Sequence, residues 1–183
     1  MRIRQATVAD AAAIGKVQLA SWRTMFHDSG IDAAAYLAEF SDEERAEDWN
    51  ELLNAPGNQL IFVAESDDAE IVGFALGIPE SSPDGKYASE LSIVHLLPAY
   101  RNQGIGRQLF AAVARNLKDE GRGSLFLWVL SGNTGARRFY ERLGGQLFGA
   151  NKHMVGKNEV GIEVEEVAYG WSDIDQLITA LTS

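Results

Sequence analysis

The sequence has no cysteine and no long apolar run. Without cysteine the chain forms neither a disulfide nor a thiolate metal site, and it carries no acyl group as a cysteine thioester. No segment approaches the roughly 20 apolar residues that a membrane-spanning helix needs, so a membrane is not an expected partner. The segment Met1–Gln5 lacks the apolar core of a signal peptide, which favours a cytoplasmic location.

Basic residues are in the minority. Lys and Arg number 16 against 26 Asp and Glu, which gives a formal net charge of −10. Because this field repels phosphate polymers, nucleic acid is not an expected partner. The same field favours cationic small molecules such as amines, although a charge that only keeps the surface soluble explains the composition equally well.

Length and patterning predict one domain over residues 1–183. A chain of 183 residues with 46% apolar content can bury one core, and it contains no repeat or linker. The middle of the chain predicts a strand at Ala88–Leu97, a helix from Gly106 to near Gly121 and a fully apolar strand at Ser124–Leu130. This order of elements predicts a right-handed parallel crossover. The fold class is therefore α+β around one mixed sheet, flanked by helices.

The remaining predicted elements come from periodicity and from capping signals. Thr7 with Asp10, and Ser41 with Glu44, have the spacing of capping boxes at helix starts. The other predicted strands are Ile3–Arg4, a hairpin of Leu60–Glu65 and Ile71–Gly77, Gln146–Asn151 and Glu163–Tyr169. The other predicted helices run from Ser41 to a stop at Asn54–Gly57, from Thr134 to Leu143, and after Ser172.

The segment Leu97–Arg107 lies between a predicted strand and a predicted helix. Gly104 and Gly106 let the backbone approach a ligand closely, and the unpaired amides at the helix N-terminus suit a phosphate group. Arg101 and Arg107 add charge-assisted donors for a pyrophosphate. The loop is therefore predicted to bind an anion.

Other interpretations of this loop compete with that prediction. A Gly-x-Gly before a helix can be only a tight turn. A P-loop would need Gly-Lys-Ser/Thr, which the loop lacks, and a dinucleotide fingerprint would need a third small residue where Leu109 stands. The loop thus indicates a different phosphate ligand, with a plain turn as the alternative.

The loop and a second motif resemble the GNAT superfamily of N-acetyltransferases. The family signature is a strand, a proline and Arg/Gln-x-x-Gly-x-Gly/Ala at the start of a helix, and Arg101-x-x-Gly104-x-Gly106 follows it. In the second motif, Asn133 begins a helix that contains Phe139–Gly144. The order and spacing of two separate motifs make the resemblance specific.

This resemblance implies a mixed, mostly antiparallel GNAT-like sheet and a particular chemistry. The enzyme would transfer the acetyl group of acetyl-CoA, its cosubstrate, to an amine, and relatives are often homodimers. Because cysteine is absent, the transfer would be direct. The predicted acceptor is a primary amine of a small molecule. A non-catalytic acyl-CoA-binding module and a protein N-terminal or lysine acetyltransferase stay open as alternatives.

The resemblance also assigns roles in cofactor binding. Pantetheine would lie along the strand before the loop, where Val94 and Leu96 direct their backbone groups to the same edge. A backbone amide there could also stabilise the oxyanion of the tetrahedral intermediate. Asn133 would contact the coenzyme, and it can equally be the helix cap. The predicted cofactor-binding residues of the loop are Arg101, Asn102, Gln103, Gly104, Ile105, Gly106 and Arg107.

Tyr140 is the predicted general acid. A phenol with a pKa of about 10 can protonate a departing thiolate whose conjugate acid has a pKa of about 8.5, by analogy with cysteine. The alternative is an aromatic side chain that only packs beside Phe139.

Glu90 is the predicted general base, because the amine is mostly protonated at pH 7 and must lose a proton before it attacks the thioester. A solvated edge charge is the alternative, and a water chain could serve instead. Relatives that acetylate protein N-termini have a glutamate where this chain has Trp128, which weakens that function here. His27, His95 and His153 are too scattered to predict a metal site, so none is expected.

The acceptor pocket is predicted to be formed by the first two helices and the Ile78–Tyr87 loop. Aromatic and acidic residues of this region would form a mouth for a small cationic amine. The alternative places the aromatic residues in the core and the acids in solvent. The residues concerned are Trp22, Phe26, Tyr36, Trp49, Asp28, Asp32, Glu39 and Asp48.

Overall fold

A computed structural model describes residues 1–55 and 60–183. Pro56 and Gly57, predicted to stop the second helix, lie outside the described residues. The strands are β1 (Arg2–Gln5), β2 (Leu60–Glu65), β3 (Ile71–Ile78), β4 (Glu90–Leu96), β5 (Leu125–Leu130), β6 (Gln146–Lys157) and β7 (Val160–Trp171). The helices are α1 (Ala11–Asp28), α2 (Ala34–Ala38), α3 (Asp42–Asn54), α4 (Ile105–Asp119), α5 (Thr134–Arg142) and α6 (Ile174–Thr182).

The described strands form one mixed sheet in the order β1-β2-β3-β4-β5-β7-β6. The pairing of β4 with β5 is parallel, and the other pairings between neighbouring strands are antiparallel. The predicted crossover through α4 is therefore confirmed, together with the mostly antiparallel sheet. Within the described ranges, none of the helices has the length and apolar character needed to cross a membrane.

Helices cover both faces of the sheet. On one face, α4, α5 and α6 pack against alternate residues of the strands, with Leu109, Val113 and Leu117 of α4 completely buried. On the other face, α1 and α3 pack on β2 and β3 around Phe74. The aromatic residues of α1 and α2 form a separate cluster over the far ends of β5, β6 and β7.

Most local predictions are confirmed, and the exceptions depend on tertiary contacts. The Ser41–Glu44 capping box is present, with each backbone amide bonded to the other side chain at 3.1 Å. The last two strands are longer than predicted, since β6 and β7 continue to pair as far as Lys157 opposite Val160. The sequence analysis also missed α2. Both features are stabilised by packing of the hairpin end against α2, which no local pattern reveals.

Asp10 connects the start of α1 to the edge of the sheet. Its carboxylate, only 7% exposed, accepts two hydrogen bonds of 2.8 Å from Arg4, whose Nε lies 2.7 Å from Glu65. The Arg4 hydrogen bonds outweigh burial and lower the pKa of Asp10 from 3.8 to about 2. Because the folded pKa lies below the unfolded one, this stabilisation is present above about pH 4 and is lost as the pH falls towards 2.

We expect Asp10→Asn to lower the free energy of unfolding by about 2 kcal/mol at pH 7. Urea denaturation at pH 7 and at acidic pH measures the effect, and the difference from the parent protein should shrink steadily below pH 4. Asp68→Asn removes the same charge from an exposed turn and serves as the control. A difference that stays constant with pH would contradict the assignment.

Candidate active site

The parallel strands β4 and β5 separate soon after they begin. They pair at one position, Glu90 opposite Phe126. Across the other edge of β4 the register shifts, because Leu76 pairs with Ile93 and Gly77 pairs with Leu91. The extra residue, Ser92, forms a bulge that bends β4. Beyond the bulge, a cavity of about 960 Å³ lies between the two strands.

The backbone of β4 presents hydrogen-bonding groups to this gap. Leu97 donates its amide to the Val72 carbonyl of β3 at 2.9 Å, so its backbone groups face β3. Because backbone groups alternate in direction along a strand, those of Val94 and Leu96 face the gap on the β5 side. Both residues line the cavity. The edge predicted for pantetheine is therefore open where β5 has moved away.

The loop after β4 leaves backbone amides without helical partners at the start of α4. A 3₁₀ turn at Pro98–Tyr100 is followed by Asn102 at φ +60° and Gly104 at φ +78°. The first helical bond of α4 is from the Gln108 amide to the Gly104 carbonyl, so the amides of residues 105–107 have no partner within the helix. Left-handed residues beside a free helix N-terminus create a concave anion site, which fits a diphosphate.

The side chain of Arg107 points to α6 in this structure. Its Nε donates to the Leu181 carbonyl at 2.8 Å, and its terminal nitrogen donates to the Ala180 carbonyl, so the guanidinium binds the end of α6. In this arrangement the backbone amide of Arg107 is the group left to the loop, and a grip of its guanidinium on a pyrophosphate stays a prediction. Arg101 lies at the cavity with one nitrogen 3.4 Å from Asp28. Gln103 turns back to bond the Ala99 carbonyl at 2.9 Å.

Helix α5 forms the opposite wall of the cavity. The Asn133 side chain accepts a hydrogen bond from the Ala136 amide at 3.1 Å, so it is the N-cap of α5 and also lines the cavity. Tyr140 is 6% exposed and packs edge-on against Phe110 and Trp171. Burial raises the pKa of the Tyr140 phenol above its usual value, which keeps the phenol protonated at neutral pH.

Glu90 and Tyr140 are not brought together in this cavity. Glu90 precedes the bulge, and the residues of β4 that line the cavity begin at Leu91. Burial raises the pKa of Glu90, and the charges of Glu80 and Glu166 raise it further. Glu166 of β7, which the sequence analysis did not single out, does line the cavity. An acid in an ordinary strand gives no local signal of such a position.

Four of the residues predicted for the acceptor mouth line the cavity. They are Trp22, Phe26, Tyr36 and Asp28, the last of which lies against Arg101 of the loop. Trp49 instead belongs to the core between α1 and α3, where its indole donates to Gln18 at 2.8 Å. The three other predicted acids, Asp32, Glu39 and Asp48, lie outside the lining.

His95 also reaches the cavity, from β4. Its Nδ1 lies 3.0 Å from the Ser21 hydroxyl, and its ring packs edge-on against Phe74. Burial, with a smaller contribution from the charge of Arg101, lowers the pKa of His95 to about 4. The imidazole is therefore neutral at pH 7 and adds no positive charge to this side of the cavity.

Known proteins share this sequence pattern and this fold. The sequence model of the acetyltransferase (GNAT) family matches residues 21–145. An uncharacterised N-acetyltransferase of Bacillus subtilis (strain 168), YuaI, is 30% identical over 98% of this chain and 97% of its own length.

Two solved structures have the same architecture. One is yncA from Salmonella typhimurium, solved with its cofactor acetyl-CoA, which superposes with a TM-score of 0.65 at 21% identity over 96% of this chain and 94% of its own. The other is a ribosomal-protein-alanine N-acetyltransferase from Brucella melitensis, with a TM-score of 0.65 at 25% identity over 93% and 99%. The family model, the Bacillus subtilis relative and the two structures with the same fold agree. The chain therefore belongs to the acetyltransferase (GNAT) family and is an N-acetyltransferase.

Proposed function

We propose that this enzyme transfers the acetyl group of acetyl-CoA directly to a primary amine of a small molecule. The observation that carries the proposal is the gap between β4 and β5, which forms one cavity with residues of the amide loop and with aromatic side chains of α1 and α2. The backbone amides of Asn102–Arg107 suit the diphosphate of the coenzyme. The free edge of β4 suits an extended amide chain such as pantetheine, which can pair as a strand would.

The reaction needs an oxyanion donor and a proton donor at the gap. A backbone amide of Val94 or Leu96 faces the space where a thioester carbonyl would lie, and such a donor stabilises the tetrahedral intermediate. Tyr140, protonated and at the cavity wall, would give its proton to the departing thiolate. With no cysteine in the chain, the amine attacks the thioester without an acyl-enzyme intermediate on sulfur.

The amine must lose a proton before it attacks. Glu90 remains our proposed base, and its raised pKa makes it a better proton acceptor than an ordinary carboxylate. Because Leu91 and not Glu90 begins the cavity lining, the proton would travel from the amine to Glu90 through a water molecule. This route combines the predicted base Glu90 with the water chain that was its predicted alternative.

A thiol-release assay with acetyl-CoA across a panel of amines tests the proposed function. We expect release of CoA with small primary amines and no release with neutral, non-nucleophilic compounds. Acetyl-CoA should also raise the melting temperature of the protein. Stabilisation without turnover of any amine would favour a non-catalytic acyl-CoA-binding module.

The main rival acceptor is a protein N-terminus, the kind of acceptor for which the Brucella melitensis protein is named. Trp128 supports the small-molecule proposal, because it stands where relatives of that kind have a glutamate and it lines the cavity. Peptides with a free N-terminal alanine belong in the same assay, and preferential turnover of them would exclude a small-molecule acceptor. We also propose that the protein is cytoplasmic and forms a homodimer. Light scattering in solution would test the oligomeric state.

A further inference from the structure

Three arginines and two acids line the cavity. The arginines are Arg101 of the loop, Arg107 of α4 and Arg142 of α5. The acids of the lining are Asp28 and Glu166, and Asp28 is paired with Arg101. Among residues 1–55 and 60–183, Glu166 has no lysine or arginine partner within salt-bridge distance. The acceptor side of the cavity therefore contains one carboxylate without a cationic partner of that kind.

Glu166 points from β7 into the chamber lined by α1 and α2. Its side chain is 27% exposed, and its nearest cationic candidate is His153, whose Nε2 lies 3.7 Å from the carboxylate, too far for a hydrogen bond. Burial raises the pKa of Glu166, with a smaller opposing contribution from His153. A half-buried carboxylate loses solvation without gaining a partner, and a bound cation would restore the lost interaction.

Aromatic side chains line the same cavity as this carboxylate. Trp22, Phe26 and Tyr36 come from the helices, and Trp128 comes from β5. The ring centroid of Tyr36 lies 6.5 Å from that of Trp22 and 6.0 Å from that of Phe26. Aromatic faces attract ammonium groups, so this wall and Glu166 favour the same kind of ligand.

The position of Glu166 in the sheet separates it from the reacting atoms. Acetyl transfer takes place in the gap beside β4, whereas β7 lies beyond β5 in the strand order. Neighbouring strands lie about 4.8 Å apart, so Glu166 is set back by at least one strand from the thioester position. A group held by Glu166 is therefore distinct from the nitrogen that is acetylated.

We propose that Glu166 recognises a second, non-reacting ammonium group of the acceptor, which makes the substrate a diamine or a longer polyamine. This inference rests on the proposed function, because it concerns the acceptor of the same cavity. One ammonium, after losing a proton, provides the nitrogen that attacks the thioester. The other stays protonated between Glu166 and the aromatic wall. Glu166 is thus a specificity-determining residue and takes no part in proton transfer.

The test compares diaminobutane, butylamine and aminobutanol as acceptors at a fixed acetyl-CoA concentration. We expect the parent enzyme to have a kcat/KM for diaminobutane about 10- to 100-fold higher than for the two singly charged analogues. In Glu166→Gln this preference should disappear, mainly through a higher KM for diaminobutane. Glu165→Gln, which removes the same charge from the exposed neighbour on the opposite face of β7, should keep the preference.

The outcomes separate this inference from the proposed function. Equal turnover of diaminobutane and butylamine by the parent enzyme would overturn the role of Glu166 and leave small-amine acetylation intact. Turnover of no amine at all would overturn the proposed function itself. If Glu166→Gln does not fold, the comparison of the three acceptors with the parent enzyme still decides whether the site prefers a second ammonium group.

Discussion

Tyr140→Phe is expected to lower kcat for acetyl transfer about 100- to 10,000-fold, because it removes the proton donor for the departing thiolate. The substitution deletes one oxygen and keeps the ring that packs against Phe110, Phe139, Tyr169 and Trp171. Binding of acetyl-CoA and the melting temperature should therefore change little. Steady-state kinetics with a reactive amine, beside calorimetric titration with CoA, measure the two effects separately.

A matched variant shows whether the effect belongs to this hydroxyl. Tyr169→Phe removes another buried phenol of the same cluster, one that donates to Glu141 at 2.6 Å and accepts from Arg137. Tyr169→Phe should lower the free energy of unfolding and keep kcat within a few-fold of the parent value. If Tyr140→Phe keeps full kcat, Tyr140 is a packing residue only and the proton must come from solvent.

Gly104→Val is expected to weaken acetyl-CoA binding at least about tenfold. Gly104 has φ +78°, a left-handed conformation that costs roughly 1–2 kcal/mol for residues with a side chain and more for a β-branched one. A Cβ added at this position would meet no described atom within 4 Å, so the effect comes from backbone preference and not from a clash. The loop of the valine variant should relax to another conformation. Acetyl-CoA would then bind only after the loop returns to the left-handed conformation at residue 104, and this return costs binding free energy.

Two control variants separate the effect of the loop on CoA binding from the general cost of a left-handed residue to protein stability. Gly104→Asn should keep affinity within a few-fold, since asparagine tolerates this conformation, as Asn102 does at φ +60° in the same loop. Gly121→Val introduces the same strain at φ +82° beyond the far end of α4, so it should lower stability and leave CoA affinity unchanged. Equal CoA affinity for Gly104→Val and its parent would remove the loop from the binding site.

Features with local causes could be predicted from the sequence. The Gly104 turn, the Asn133 cap and the order of β4, α4 and β5 each depend on residues that are close in sequence. Glycine conformations, capping side chains and hydrophobic periodicity report such features directly. The motifs that resemble the GNAT family consist of the same residues, which are close in sequence. The family could therefore be predicted from the sequence, and the comparisons confirm it.

Features with distant causes could not be predicted. The guanidinium of Arg107 binds carbonyls of α6, more than 70 residues away, and this contact is invisible to any motif. Glu166 faces the cavity because the sheet places β7 beside β5, and Glu90 lies outside the lining because the bulge follows it. Side-chain direction in these cases is set by tertiary packing, whereas the motif fixes only the backbone loop.

The most direct measurement is a crystal structure of the protein with CoA. We expect the diphosphate to accept hydrogen bonds from backbone amides between Asn102 and Arg107, and the pantetheine arm to follow β4 beside Val94 and Leu96. CoA bound elsewhere, or an empty loop at saturating CoA, would exclude the proposed site, because the amine chemistry would then have no acetyl donor in the gap.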